Sequence, residues 1–386
     1  MKRRSFIKTG SVLGAALATP SIAKAQGFSS DKQLIKDMEK VNFIRDGLDF
    51  TPLEYSKLLY DLDKQKGIPI DSYSRGGVVE ELEKRMAEKL GKESAIFMPT
   101  GTLANHMAVR LLAGNNRKVL LQSDSHLYRD SGDCANTLSG LNLIPLGKNK
   151  VDFDLKEVEE EFSRTEAGRV ETQIGVISIE TPVRRYNNQC FDFNQMVAIS
   201  EFAKKNNIKM HLDGARLFNA CVHTNKKPEE YAQMFDTVYI SLYKDFNAAS
   251  GAILVGDKSF TNGLYHIRRM FGGGMAQVWP FAAVAVNYLD SFIPDYKESL
   301  VHAEKLFALL RNNPKVEINT LSNGSNVFQM KVINTDLQKM KKQLEENNIF
   351  WPAANAKDGF IYFKINPSIL RKSVDALSKH FLEAIS

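Results

Sequence analysis

The chain has 386 residues, a formal net charge of +6 and three cysteines. That length suffices for two domains with substantial cores. The cysteines are odd in number and no pair has metal-ligand spacing, which argues against a disulfide framework and a zinc site; we expect free thiols at Cys134, Cys190 and Cys221. No stretch after residue 25 is long and apolar enough to cross a bilayer, so the sequence predicts no stable membrane anchor.

The first 25 residues have the features of an export signal. Residues 1–8 (MKRRSFIK) are similar to the twin-arginine consensus, residues 12–23 are mildly apolar, and Ala23-Lys24-Ala25 is an A-x-A cleavage site. Because this segment holds five basic and no acidic residues, cleavage after Ala25 lowers the net charge from +6 to +1 and weakens the case for a nucleic-acid partner. We expect the twin-arginine export machinery to deliver the folded chain to the periplasm; the alternative is a basic helix on a cytoplasmic protein.

Residues 45–290 predict a large α/β domain, preceded by an N-terminal arm at residues 26–44. Short apolar stretches alternate there with helical patterns such as residues 80–90 and 191–206. This alternation predicts a mostly parallel sheet flanked by helices.

Residues 291–386 predict a small α+β C-terminal domain. Pro294 interrupts a helical pattern near its start. Residues 327–332 and 361–365 alternate between apolar and polar side chains, as in antiparallel strands.

Thr100, Gly101 and Thr102 follow an apolar stretch and precede a helical pattern. In that place their backbone N–H groups and hydroxyls would lie at a helix N-terminus, which is a cradle for phosphate. The alternative is an ordinary threonine cap.

An acid and an amine stand at the ends of two predicted strands, Asp213 after residues 208–213 and Lys244 after residues 237–244. Carboxyl ends of parallel strands border one crevice, so the two groups can face one ligand. A lysine amine forms a Schiff base with an aldehyde, and a carboxylate beside a pyridine nitrogen keeps that nitrogen protonated. The pair therefore predicts a pyridoxal phosphate site.

Simpler interpretations of the same residues are a surface lysine and an Asp-Gly turn. A third is an iron site made by His211, Asp213 and His266, two histidines and one carboxylate. The α/β alternation argues against the iron site, because such sites usually lie in antiparallel barrels.

Residues 211–220 (HLDGARLFNA) resemble the H-x-D-G-A-R-x-x-N-A segment of the threonine aldolases, within the β-eliminating lyase group of fold type I pyridoxal phosphate enzymes. Further similar stretches follow in the family's order at residues 97–105, 124–126, 138–140 and 268–275. The resemblance covers nearly all of the chain after about Arg45, and it implies the large and small domains of that fold.

The resemblance also implies roles for single residues. Lys244 would bond the cofactor, Asp213 would face its ring nitrogen, and Arg216 would help hold the substrate carboxylate. His126 would stack on the ring and take part in proton transfer near the substrate hydroxyl. The implied phosphate ligands are Thr100, Gly101 and Thr102. The family's serine just before the lysine is Tyr243 here, and Ser241 is the candidate to reach the phosphate instead.

Tyr73 matches a threonine aldolase tyrosine that reaches a neighbouring subunit's site, which implies a homodimer or homotetramer with shared active sites. Tyr73-Ser74-Arg75 also looks like the tripeptide with which the cystathionine lyase and synthase group holds the phosphate of an adjacent subunit. Arg75 is therefore a further candidate for binding cofactor across a subunit interface.

Other positions depart from the family. Residues 245–251 keep only the outline of the aldolase loop after the lysine, and Tyr362 and Ala276 stand where arginines are expected. Arg184 and Arg185 are candidates to compensate. A hydroxyl cannot replace a guanidinium charge, so we expect threonine itself to be a poor substrate unless its carboxylate is held in another way.

The combined prediction is a pyridoxal phosphate lyase acting on a small amino acid, with cleavage of the Cα–Cβ bond of a β-hydroxy-α-amino acid to glycine and an aldehyde. One alternative is β- or γ-elimination, because both reactions pass through a carbanion at the same cofactor. A second alternative is a non-catalytic binding protein that keeps the fold.

Overall fold

A computed structural model of the chain describes residues 38–170 and 172–386. The predicted export signal, its cleavage site and most of the predicted N-terminal arm lie outside these residues.

A seven-stranded sheet forms the centre of the large domain, in the order β2-β8-β7-β6-β5-β3-β4. Strand β8 is antiparallel to both of its neighbours and the other pairs are parallel, which confirms the expected mostly parallel sheet. All residues of β5 are buried, as in strands covered on both faces. The strands are β2 (Ser94–Met98), β3 (Lys118–Gln122), β4 (Asn142–Leu146), β5 (Ile174–Glu180), β6 (Lys209–Asp213), β7 (Thr237–Ser241) and β8 (Ala252–Gly256).

Helices cover this sheet and join its strands. They are α1 (Pro52–Lys66), α2 (Gly77–Lys89), α3 (Gly101–Ala113), α4 (His126–Arg129), α5 (Cys134–Ser139), α6 (Leu155–Glu166), α7 (Phe193–Lys205), α8 (Leu217–Thr224), α9 (Pro228–Ala232), α10 (Lys258–Thr261), α11 (Leu264–Met270) and α12 (Trp279–Tyr288), with a 3-10 turn at Arg184–Tyr186. The helix predicted at residues 191–206 begins at Phe193, because the Asp192 side chain accepts the N–H of Gln195 and so caps the helix.

The C-terminal part contains a three-stranded antiparallel sheet in the order β12-β10-β9, which confirms the antiparallel strands expected there. Pro294 lies in the first turn of α13, where proline is tolerated. The elements are α13 (Phe292–Leu310), β9 (Val316–Thr320), β10 (Val327–Val332), α14 (Leu337–Glu346), β11 (Ile349–Phe350), β12 (Ile361–Lys364), a 3-10 turn (Pro367–Arg371) and α15 (Val374–Ile385).

The first strand of the described chain, β1 (Val41–Asn42), pairs in parallel with β11. The backbone N–H of Lys364 donates to the Phe43 carbonyl at 2.7 Å. Residues just before the predicted large domain therefore pack on the C-terminal elements, while the domain boundaries themselves stay predictions.

The strand predicted at residues 237–244 is shorter than expected and ends at Ser241. A turn follows, in which Ala248 donates to the Leu242 carbonyl and Asn247 has a left-handed backbone (φ 57°). Asparagine tolerates that conformation better than most residues. Lys244 consequently lies in the turn after β7 instead of in the strand.

No helix among residues 38–170 and 172–386 is both long and apolar enough to cross a membrane. The three cysteines are free thiols, as predicted.

Candidate active site

A cavity of about 680 Å³ opens at the carboxyl ends of the parallel strands. The structure brings seven of the predicted site residues to its wall: Thr100, Gly101, Thr102, His126, Asp213, Arg216 and Lys244. Groups from four separate parts of the sequence thus face one space.

The Lys244 side chain is half-buried and its ammonium lies 4.9 Å from the ring centroid of Tyr243. Burial, and then the positive charge of Arg216, lower the pKa of this amine to about 8. A larger fraction is unprotonated near neutral pH than for an ordinary lysine, and the unprotonated amine is the form that attacks an aldehyde.

A chain of hydrogen bonds holds the Asp213 carboxylate. Asp213 Oδ2 accepts from Asn105 Nδ2 at 2.6 Å, and its Oδ1 accepts from the backbone N–H of Ala215 at 3.2 Å. Asn105 Oδ1 in turn lies 2.9 Å from His211 Nε2, and Thr237 Oγ1 lies 2.9 Å from His211 Nδ1. Because an amide oxygen only accepts, His211 must donate at Nε2, and burial keeps the ring neutral by lowering its pKa to about 4.

Both nitrogens of His211 are therefore occupied, and His266 is exposed on α11. In the part of the chain that the structure describes, no three histidine, cysteine or acidic side chains lie together as metal ligands would. Asn105 ends the similar stretch at residues 97–105, and the sequence predicted no role for it. Its link between His211 and Asp213 depends on contacts that the sequence does not reveal.

His126 begins α4 beside the cavity, and its Nδ1 lies 3.2 Å from Ser131 Oγ. Burial lowers the pKa of His126, which Asp213 opposes in part. The imidazole is therefore neutral at pH 7 and able to accept a proton.

Glu180, the last residue of β5, is a buried acid that sequence reasoning did not assign to the site. It accepts the backbone N–H groups of His126 and, at 2.9 Å, of Arg184. Burial, followed by the negative charge of Asp213, raises the pKa of Glu180 to about 7. Its signal in the sequence is its place at the end of a mostly apolar strand.

Thr100 caps helix α3, since its Oγ1 accepts from the Leu103 N–H at 3.2 Å. The cap and the cradle are compatible, because the first N–H groups of the helix still have no partner within it. Gly101 is required here, as a Cβ at this position would collide with the Tyr239 hydroxyl. Ser250, which the sequence did not suggest, also lines the cavity.

Ser241 is fully buried beneath this region and is not part of the cavity wall. Its Oγ has no hydrogen-bond partner among the described residues. A buried hydroxyl left unpaired is unusual, and it is consistent with a ligand oxygen nearby.

Arg216, expected to hold a substrate carboxylate, already pairs with a carboxylate of the chain. Its NH2 group donates to Asp46 Oδ2 at 2.9 Å, and Lys364 Nζ lies 2.8 Å from Asp46 Oδ1. Burial alone would raise the pKa of Asp46, but the Arg216 and Lys364 charges outweigh it and hold the pKa well below its usual range. Sequence reasoning missed both Asp46 and Lys364.

Tyr362 stands where an arginine was expected, and Arg184 and Arg185 were the candidates to compensate for the missing charge. Tyr362 reaches the cavity edge and its hydroxyl donates to Asp358 at 2.9 Å. Arg184 also lines the cavity, and with Arg185 it binds the Asp130 carboxylate, whose pKa falls to about 2 mainly through the Arg185 hydrogen bond.

Tyr73 and Arg75 lie outside this cavity and are exposed. Their loop is held by Asp71, whose carboxylate accepts the N–H groups of Ser74 and Val278, both at 2.8 Å. The Arg75 guanidinium lies 4.8 Å from the ring centroid of Tyr265. Within a single chain, therefore, these two residues do not join the other candidates.

Several known proteins are similar to this chain in sequence. The model of the beta-eliminating lyase family matches residues 68–332. Low-specificity L-threonine aldolase 1 of Arabidopsis thaliana is 27% identical over 281 residues, 71% of this chain and 78% of that protein. An alanine racemase of Cochliobolus carbonum is 29% identical over 204 residues, 53% of this chain and 52% of that protein.

Among solved structures, a threonine aldolase of Leishmania major superposes with a TM-score of 0.67 at 17% identity. The superposition covers 90% of this chain and 100% of that one. At this identity the likeness shows the fold alone. It is the fold that the sequence predicted.

Proposed function

Because the chain belongs to the beta-eliminating lyase family, we propose that it is a pyridoxal phosphate-dependent lyase that cleaves a β-hydroxy-α-amino acid to glycine and an aldehyde. The observation that carries the proposal is one cavity bordered by an amine of lowered pKa, Lys244, a buried carboxylate, Asp213, and a neutral imidazole, His126. Threonine aldolases among the relatives support the reaction type.

The residues present fit the cofactor. The N-terminus of α3, where the Tyr239 hydroxyl packs against Gly101, and the unpaired Ser241 hydroxyl suit the phosphate. Lys244 suits its aldehyde and Asp213 its pyridine nitrogen. When bound, the cofactor supplies an electron-poor ring that accepts the electron pair released at Cα.

The chain's own groups direct the bond that breaks. The hydrogen bond from Asn105 fixes the position of the Asp213 carboxylate. A carboxylate held beside the pyridine nitrogen of the cofactor would keep that nitrogen protonated. Neutral His126 is placed to take the proton of the substrate hydroxyl, and losing that proton turns the Cβ–O bond into a carbonyl as the Cα–Cβ bond breaks. Lys244 is the base and acid available to return a proton to Cα.

Product analysis with a panel of β-hydroxy amino acids tests the reaction. Glycine plus an aldehyde is the expected result. Keto acid plus ammonia would indicate elimination, an inverted Cα would indicate racemisation as named for the Cochliobolus carbonum relative, and no product with any substrate would indicate a binding protein.

His126→Asn is expected to lower kcat for this cleavage by about 10²- to 10⁴-fold, because general-base assistance by a side chain is commonly of that size. Cofactor content should stay near that of the wild type. The matched control is His266→Asn, which changes an exposed histidine outside the cavity. A kcat within about two-fold of the wild type for His126→Asn would remove His126 from this role.

We further propose that the working unit is a homodimer or homotetramer in which Tyr73 and Arg75 face the partner's cofactor. Both are exposed, both lie outside the cavity of their own chain, and their loop is held in place by the buried Asp71. Arg75→Ala is expected to weaken cofactor affinity about ten-fold or more, since one charge-assisted phosphate contact is lost. Lys84→Ala, an exposed change on α2, is the control, and unchanged affinity in Arg75→Ala would contradict the proposal.

Finally, we propose that the mature protein starts after Ala25 and works in the periplasm. Support comes from the arginine pair, the apolar stretch and the A-x-A site, which occur together in residues 1–25. Sequencing the N-terminus of protein recovered from a periplasmic fraction tests this, and an intact Met1 terminus found only in the cytoplasm would contradict it.

A further inference from the structure

Two basic side chains of low exposure share one buried carboxylate in the cavity. Arg216, Lys364 and Asp46 have side chains 5%, 23% and 10% exposed, and both N···O distances are under 3 Å, at 2.9 and 2.8 Å. We call this group the Asp46 triad. Two positive charges and one negative charge leave it with a net charge of +1, so it retains the capacity to balance one further anion.

The Asp46 triad also has a donor to spare. Arg216 Nε is buried and has no hydrogen-bond partner among the described residues. A buried donor without a partner is unfavourable, and a second carboxylate beside the guanidinium would satisfy it.

Other basic groups on the cavity wall are poorer candidates for holding an anion. The Arg45 side chain is 70% exposed, and Arg184 is 48% exposed and already bound to Asp130. Charges in contact with water bind weakly because solvent screens them. The low exposure of Arg216 and Lys364 makes their charges more effective.

Strand β12 explains how Lys364 can stand in for the arginine that the resemblance places at Tyr362. Alternate residues of a strand face the same side, so Tyr362 and Lys364 share one face, and both line the cavity. The Tyr362 hydroxyl is turned to Asp358. The positive charge has thus moved two residues along the same face of the strand.

The backbone around Asp46 is fixed on both sides. A Cβ on Gly47 would collide with the Lys244 carbonyl, and the Leu48 N–H donates to Asn247 Oδ1 at 2.8 Å. On the other side, Lys364 donates its N–H to Phe43. Asp46 is therefore held between the turn of Lys244 and strand β12, where it orders both cations.

We propose that Lys364 and Arg216 bind the α-carboxylate of the substrate and that Asp46 is the positioning residue for both. Amines that lack a carboxylate should then bind more weakly than the matching α-amino acids. The inference rests on the proposed function for the presence of an amino-acid site, and it adds the residues that select the carboxylate.

Glycine and methylamine differ only by that carboxylate, so their binding to the purified holoenzyme isolates its contribution. We expect the wild type to bind glycine far more tightly in calorimetric titrations. Lys364→Met is expected to weaken glycine binding about 10- to 100-fold and to leave methylamine binding nearly unchanged. Lys364→Arg should keep the preference, and Lys331→Met, which removes an exposed lysine from β10, should behave as the wild type.

A double-mutant cycle tests Asp46. If Asp46 orders Lys364 as well as Arg216, Asp46→Asn changes glycine affinity more in the wild-type background than in the Lys364→Met background, where only its pair with Arg216 remains. Equal effects in both backgrounds would overturn the role of Asp46 in positioning Lys364.

Binding separates this inference from the proposed reaction. Unchanged glycine affinity in Lys364→Met, with normal cleavage and cofactor content, would overturn the inference and leave the reaction intact. A strong preference for glycine that depends on Lys364, in an enzyme that cleaves no β-hydroxy amino acid, would contradict the reaction and support the carboxylate site. Equal binding of glycine and methylamine by the wild type would overturn the inference directly.

Discussion

Lys244→Ala is expected to lower kcat/KM by more than about a thousand-fold, because it removes both the covalent anchor of the cofactor and the group that returns a proton to Cα. The same amine should govern cofactor loading. Its pKa of about 8 means that the unprotonated, reactive fraction rises between about pH 7 and pH 9 and then levels off. The absorbance change on adding pyridoxal phosphate to cofactor-free protein, followed by stopped flow, should speed up over the same range.

The matched control is Lys297→Ala, an exposed lysine of α13, which should load and turn over as the wild type does. Lys244→Ala protein that gave the same absorbance change would show that another amine bonds the cofactor. A loading rate that kept rising to pH 10 would show instead that the Lys244 pKa is not lowered.

Asp213→Asn is expected to reduce kcat by about 10²- to 10³-fold, the effect seen when one fixed electrostatic partner of the reacting groups is removed. The amide is nearly isosteric and can still accept from Asn105, so the change is one of charge more than of shape. Without the carboxylate, the pyridine nitrogen loses the partner that keeps it protonated. Steady-state kinetics and the absorbance of bound cofactor would measure the effect.

Asp61→Asn, in an exposed ion pair with Lys57 on α1, serves as the control for charge loss alone. Retention of wild-type kcat by Asp213→Asn, with cofactor bound, would mean that the ring nitrogen does not depend on this carboxylate. Loss of folding, seen as a large fall in melting temperature, would require the rate to be measured on the folded fraction.

The sequence could predict the main candidates because their signals are local. Asp213 and Lys244 each follow an apolar strand pattern, and such strand ends meet in a parallel sheet. Thr100 and Gly101 were recognisable for the same reason, as they join a strand to a helix.

The residues that the sequence did not reveal depend on distant contacts. Asp46 meets Arg216 across 170 residues, and its second partner lies on the last strand of the chain. No periodicity marks such a residue, since a charged residue early in a chain is most often solvated. The predicted length of β7 was wrong for a local reason. Apolar residues continue the strand pattern past Ser241, but the backbone there already forms the turn that contains left-handed Asn247.

Gly47 has a consequence for the order in which the protein assembles. Its backbone lies so close to the Lys244 carbonyl that even a methyl group would not fit, while the preceding strand β1 is paired with β11 near the end of the chain. Contacts between segments so far apart are slow to form, because a large loop must close first. On a ribosome, the lysine and its turn would emerge well before β11 and Lys364, so the amine spends part of synthesis without its neighbours. Maturation of this cavity is therefore a late event in the synthesis of each chain, completed only when β1 pairs with β11.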